Sequence, residues 1–173
     1  LEGLRSEGIV YRGVLYFGLM ITADGPQVLE YNVRFGDPEA QALLFRLRTD
    51  LAETLMAVAT GTLQTVKPAW EPGPSVCVVA CSAGYPGEYE TGIPITGLPE
   101  AEANGAKVFH AGTAGSNGRW TTAGGRVLGV TARGPSLAAA AQTAYAAMSK
   151  IHFEGMHYRR DIARKGLQRA RPL

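Results

Sequence analysis

Residues 13 to 23, "GVLYFGLMITA", form a nearly continuous apolar run and 27 to 33, "QVLEYNV", mix apolar and polar positions, with the turn-forming Asp24-Gly25-Pro26 between them. This pattern predicts an antiparallel hairpin. Because successive side chains in a strand point to opposite faces, Val28, Glu30 and Asn32 are expected on one face and Leu29, Tyr31 and Val33 on the other. The period then changes. Leu43, Leu44, Leu47, Leu51 and Leu55 recur at helical spacing, Asp37 is placed to cap a helix whose first residue is Pro38, and Asp50 with Glu53 resembles a capping box that divides the run into two short helices. Gly61 ends the helical region, and the proline-rich "TVKPAWEPGP" (65 to 74) reads as a connector. Beyond it "VCVVACSA", "KVFHA" and "GRVLGVTAR" are short strand-like runs separated by glycine-rich loops, and Ser136 opens an alanine-rich helix. The expected fold is α+β: a hairpin with helices over residues 1 to 65, then a small mixed α/β domain over 66 to 173.

Composition sharpens this only a little. At 173 residues the chain can bury a proper core, and with 46% hydrophobic and 18% charged residues it reads as folded. A formal net charge of +2 implies neither a nucleic-acid surface nor a membrane anchor, although the tail "YRRDIARKGLQRARPL" (158 to 173) is locally basic and reads as a solvated end. No apolar run approaches the roughly 20 residues of a membrane span, and no signal-peptide order is present, so a cytoplasmic location is expected. Cys77 and Cys81, four residues apart on one strand, are separated by about 13 Å and cannot form a disulfide; buried free thiols are expected. A strand pattern that begins almost at once, without a start methionine, suggests a reading frame that opens earlier.

Against this bland background "LEYNVRFGDPEAQ" (29 to 41) crowds acids, an amide and an arginine around Gly-Asp-Pro. Glu30 and Asn32 are two oxygen donors about 6.6 Å apart along one strand face, the hard-ligand chemistry that Mg²⁺ accepts beside waters and phosphates. Arg34 continues that face if the strand persists, and a guanidinium there suits a transferring phosphoryl group. The spacing alone better fits an exposed Glu and Arg that are solvated or paired. Other chemistries are poorly served: His110, His152 and His157 are scattered and read as structural, no serine sits in a G-x-S-x-G elbow, and "AGTAGSNG" (111 to 118) suits a mobile hairpin loop better than a phosphate loop.

The stretches "YRGVLYFGLMIT" and "LEYNVRFGDPEAQ", followed by "GYPGEYETGIPITGL", "KVFHAGTA", "TAGGRVLGVTARG" and "AYAAMSKIHFEGMHYRRDI", together resemble the ATP-grasp family of phosphoribosylamine–glycine ligases over nearly the whole chain. The resemblance implies the C-terminal part of an ATP-grasp lobe followed by the ligase C-terminal domain. It also implies a reaction in which ATP phosphorylates the glycine carboxylate and 5-phosphoribosylamine attacks the glycyl phosphate, giving glycinamide ribonucleotide, ADP and phosphate. Glu30 and Asn32 match the family's positions for Mg²⁺ or Mn²⁺, and Arg34 matches the arginine that steadies the phosphoryl group. Gly36 and Asp37 fall near substrate contacts, Asp37 serving equally as a helix cap. Met20 is a candidate to pack against adenine, or a plain core methionine.

Departures accompany the match. The phosphate-contacting lysines, the covering glycine-rich loop and the N-terminal domain of such a ligase have no counterpart here, and the register of an additional metal acid, twelve residues before Glu30, holds Gly18. The expectation is therefore an inactive part of a larger enzyme that needs its N-terminal part as partner. Two other readings stay open: another ATP-grasp carboxylate–amine ligase, or a non-catalytic folding or interaction module.

Overall fold

The structure, a computed structural model, describes residues 1–169; the last four residues of the basic tail lie outside the described residues. The chain divides into two compact units, one formed by Leu1–Ala40 with Leu47–Glu71, the other by Gln41–Arg46 with the chain from Pro72 onward.

The first unit opens with helix α1 (Glu2–Ser6) and is dominated by the hairpin of β1 (Tyr16–Thr22) and β2 (Gly25–Asn32). The reversal is made by Ala23 and Asp24, one step earlier than the sequence suggested, with Gly25 at φ 102° opening β2 and the Thr22 hydroxyl donating to the Gly25 carbonyl. A bulge between Gly18 and Leu19 breaks the register, so that Gly18 faces Glu30 while Leu19 faces Val28. Since Gly18 and Leu19 point to opposite faces, Val28 leaves the face of Glu30, contrary to simple alternation. Helix α2 (Glu39–Leu44) starts later than expected, after a turn at Asp37-Pro38 that contains a cis peptide bond; Asp37 and Pro38 precede the helix instead of opening it. Helix α3 (Leu51–Thr60) is separate, its N-terminus capped by the Asp50 side chain on Glu53 N and its C-terminus by Gly61 at φ 77°. Leu47, expected in a helix, instead bridges Trp70 in the connector.

The second unit holds the core. Strands β3 (Ser75–Cys81), β5 (Ala106–His110), β8 (Arg126–Arg133) and β9 (His157–Tyr158) form an antiparallel sheet in the order β5-β8-β3-β9. A smaller sheet combines β4 (Pro94–Ile95), β6 (Thr113–Ser116) and β7 (Arg119–Thr122). The segment expected to be a loop, 111 to 118, is thus half strand; Asn117 and Gly118, with φ of 51° and 74°, make its tight turn. Helix α4 (Leu98–Glu102) precedes β5, and helix α5 (Leu137–Met148), capped by Ser136 on Ala139 N, packs its alanines with Val76, Val78, Val130 and Leu128 in one buried cluster. The other sheet face is covered from within the unit by residues 41–46: the Ser75 hydroxyl donates to Ala42 O, Phe45 meets Phe109 edge-on, and Arg133 lies over the Phe45 ring. Helix α6 (Arg164–Arg169) ends the described chain. Neither Cys77 nor Cys81 is in a disulfide, and both are half-buried instead of buried; burial pushes the Cys81 thiol up from its ordinary value. Among the described residues no helix is long and apolar enough to cross a membrane.

Candidate metal and phosphate site on the hairpin

The hairpin brings chemistry together by cross-strand pairing. Asn32 pairs with Tyr16, and Glu30 pairs with Gly18, so the side chains of Tyr16, Glu30 and Asn32 share a face, with Met20 two residues farther along it. Asn32 Nδ2 donates to Glu30 Oε1 at 3.0 Å. The predicted acid and amide are therefore in contact, not merely aligned. Rotating the Asn32 amide about its last torsion exchanges its nitrogen and oxygen, after which both residues present oxygen to one point. That donor set fits a hard divalent cation that draws its other ligands from phosphates and water. Among the described residues no group of three or more His, Cys, Asp or Glu is arranged to hold a metal.

Strand β2 ends at Asn32, so Arg34 does not continue it as a strand residue; it lies in the bend that follows, its Nη1 donating to Phe35 O at 3.0 Å. It nevertheless stays close enough to be felt. The Tyr16 hydroxyl is held neutral to higher pH than usual chiefly by the charge of Glu39, then by partial desolvation, the charge of Glu30 and its hydrogen bond to the Glu39 carboxylate, while Arg34 acts in the opposite sense. Tyr16 thus sits among Glu30, Arg34 and Glu39. Pattern reading missed both Tyr16 and Glu39; counting cross-strand partners outward from the turn would set Tyr16 opposite Tyr31, and only the bulge brings it opposite Asn32.

Gly36 explains how Glu39 reaches back. Gly36 is buried, and a Cβ built on it would run into Glu39 Oε2 and come within 3.2 Å of the Tyr16 ring. The Gly36 carbonyl accepts from Ala40 N at 2.9 Å, which closes the turn into α2. Asp37 is exposed beside it, and Met20, half-exposed, is not a core methionine in this chain. His110 stacks on Trp120 with ring centroids 4.0 Å apart and bonds Thr113, a packing role.

Comparison with known proteins gives the class first. Residues 1–40, which contain this hairpin, match the family model described as "Phosphoribosylglycinamide synthetase, ATP-grasp (A) domain". The fold also aligns, at a TM-score of 0.55 and 16% identity over 81% of this chain and 31% of the other, with a biotin carboxylase domain from Hydrogenobacter thermophilus, a likeness of fold alone. Residues 75–165 match "Phosphoribosylglycinamide synthetase, C domain", and the chain belongs to the phosphoribosylglycinamide synthetase family.

Relatives agree. The chain is 54% identical over 168 residues to the phosphoribosylamine–glycine ligase of Synechocystis, covering 96% of this chain and 40% of that one. It is 52% identical over 160 residues to the ligase of Caldanaerobacter subterraneus subsp. tengcongensis, covering 92% and 38%. It is 48% identical over 163 residues to the human trifunctional purine biosynthetic protein adenosine-3, covering 94% and 16%. The crystal structure of phosphoribosylamine–glycine ligase from Thermotoga maritima superposes with a TM-score of 0.80 at 39% identity over 92% of this chain and 39% of that one. The chain thus spans about two fifths of the length of the bacterial ligases it matches.

Proposed function

We propose that this chain carries the metal-binding end of the active site of a phosphoribosylamine–glycine ligase, the cytoplasmic enzyme that joins glycine to 5-phosphoribosylamine with ATP and releases glycinamide ribonucleotide, ADP and phosphate. The observation that carries the reading is the Glu30–Asn32 contact on one strand face, beside Arg34 and Tyr16, in a chain of this family. Glu30 and Asn32 would hold Mg²⁺ or Mn²⁺; when bound, the ion neutralises charge on the ATP phosphates. Arg34 spends one of five N–H donors on the Phe35 carbonyl and offers its fork to the transferring phosphoryl group.

Tyr16, kept neutral, donates a hydrogen bond from its hydroxyl to the Glu39 carboxylate. That bond fixes Glu39 over Gly36 and so shapes the turn at Gly36 and Asp37, where glycine or the amine substrate would bind. Met20, on the same face, would lie against adenine. The groups that cover the ATP phosphates come from the part of the ligase that these 173 residues do not match, so the chain by itself does not turn over.

The test is ADP release from the 173-residue chain given Mg-ATP, glycine and fresh phosphoribosylamine, beside a full-length ligase and a mixture of the chain with the remaining N-terminal part. Silence from the chain, activity in the control and rescue in the mixture are expected. Glycine- and amine-dependent ADP from the chain alone would overturn the view that the site is completed elsewhere.

A further inference from the structure

Gly18 faces Glu30 across the hairpin, and the bulge follows it directly. A Cβ built on Gly18 would lie 2.8 Å from Glu30 Cγ, 3.5 Å from Oε1 and 3.6 Å from Cδ. The Glu30 side chain is therefore laid flat across the β1 backbone, occupying the volume that any other residue at 18 would fill. Its carboxylate is also tied sideways to Asn32 at 3.0 Å. Gly18 is not among the glycines with positive φ, so its backbone does not demand glycine; only the space above it does.

We propose that Gly18 is the positioning residue for the metal-binding carboxylate: its missing side chain sets the rotamer of Glu30 and so the point at which Glu30 and Asn32 present their oxygens. The inference rests on the reading of Glu30 as a metal ligand. Even an alanine at 18 must displace Glu30 at Cγ, near the root of the side chain, where bending the far end offers no relief. The carboxylate then leaves Asn32. A bulge beside a functional side chain is a common way of aiming it, and here the bulge shifts the register right after the Gly18–Glu30 step. The glycine twelve residues before Glu30 is thus the floor on which Glu30 lies.

The experiment measures Mn²⁺ binding by electron paramagnetic resonance, in the presence of ADP, to a full-length ligase bearing this sequence, as wild type, Gly18→Ala, Glu30→Ala and the double variant. Thermal unfolding is followed in parallel. Gly18→Ala is expected to weaken Mn²⁺ binding by about 10- to 100-fold, the effect typical of lost support around a ligand. The double variant should bind no more weakly than Glu30→Ala alone, because Gly18 acts only through that side chain. Wild-type binding by Gly18→Ala beside weak binding by Glu30→Ala overturns the role of Gly18 and spares the metal assignment. Wild-type binding by Glu30→Ala overturns the metal assignment, and this inference with it. A double variant weaker than Glu30→Ala shows Gly18 acting by another route and also overturns the proposal. Should Gly18→Ala unfold, the same clash predicts that the double variant regains the melting temperature of Glu30→Ala, and failure to regain it counts against the proposal.

Discussion

The hairpin and the β5-β8-β3-β9 sheet are both antiparallel and both carry many apolar side chains, yet they treat those residues oppositely. In the sheet, Val78, Val127, Leu128 and Val130 are completely buried; in the hairpin, Leu19, Met20, Ile21, Val28, Leu29 and Tyr31 each keep about half or more of their surface exposed. The candidate chemistry lies on the exposed element. The sheet derives its order from its own contacts, whereas the hairpin, with no buried residue, holds an acid, an amide and a phenol in place mainly by cross-strand register and local hydrogen bonds. The buried core and the candidate site thus lie on different parts of the chain.

The largest expected effect lies on the hairpin: Glu30→Ala in a full-length ligase should lower ADP formation by at least about 10²-fold with folding unchanged, checked by coupled kinetics and circular dichroism. Wild-type rates would leave the hairpin without its chemistry. The contrast in burial is tested next. In the 173-residue chain Leu128→Ala should cost about 2–5 kcal/mol in urea unfolding. Leu29→Ala should stay within about 0.5 kcal/mol. Equal costs would erase the distinction between the two regions. Ser136→Ala, which removes the cap of α5, should cost about 1 kcal/mol by the same measurement.

The smallest effect is electrostatic. Glu39→Gln should move the ionisation of Tyr16, followed by ultraviolet absorbance, to lower pH, because the charge of Glu39 is the main cause of its raised value. With the folded value raised above the unfolded one, the neutral phenol's contribution to stability is present below the ordinary tyrosine range and fades as pH rises through the folded value. Glu39→Gln should shrink that alkaline loss, and an unmoved titration would remove Glu39 from the site.

Much of this was legible beforehand because local rules agreed with the final fold. The α+β class, the hairpin, the division of the helical region at Asp50 and Glu53, the stop at Gly61 and the cap at Ser136 follow from alternation, turn chemistry and capping residues. The contact between Glu30 and Asn32 followed from period two. What escaped was relational. The bulge after Gly18 depends on how two strands pair, so no single-strand pattern reveals that Val28 changes face. Tyr16 and Glu39 meet only because Gly36 carries no side chain, and the two- and four-residue strands β4, β6, β7 and β9 are too short to show a period. Asp37 and Pro38 read as a helix start on residue preference, yet the chain spends them on a turn.

The cover that residues 41–46 give the second sheet bears on how the protein can be cut. A C-terminal piece starting in the proline-rich connector, the obvious place to divide the gene, would leave behind Ala42, the acceptor for Ser75, and Phe45, the ring that meets Phe109 and lies under Arg133. Such a piece would carry a bare sheet face and be prone to self-association, whereas one that begins before Gln41 would bring its own lining with it.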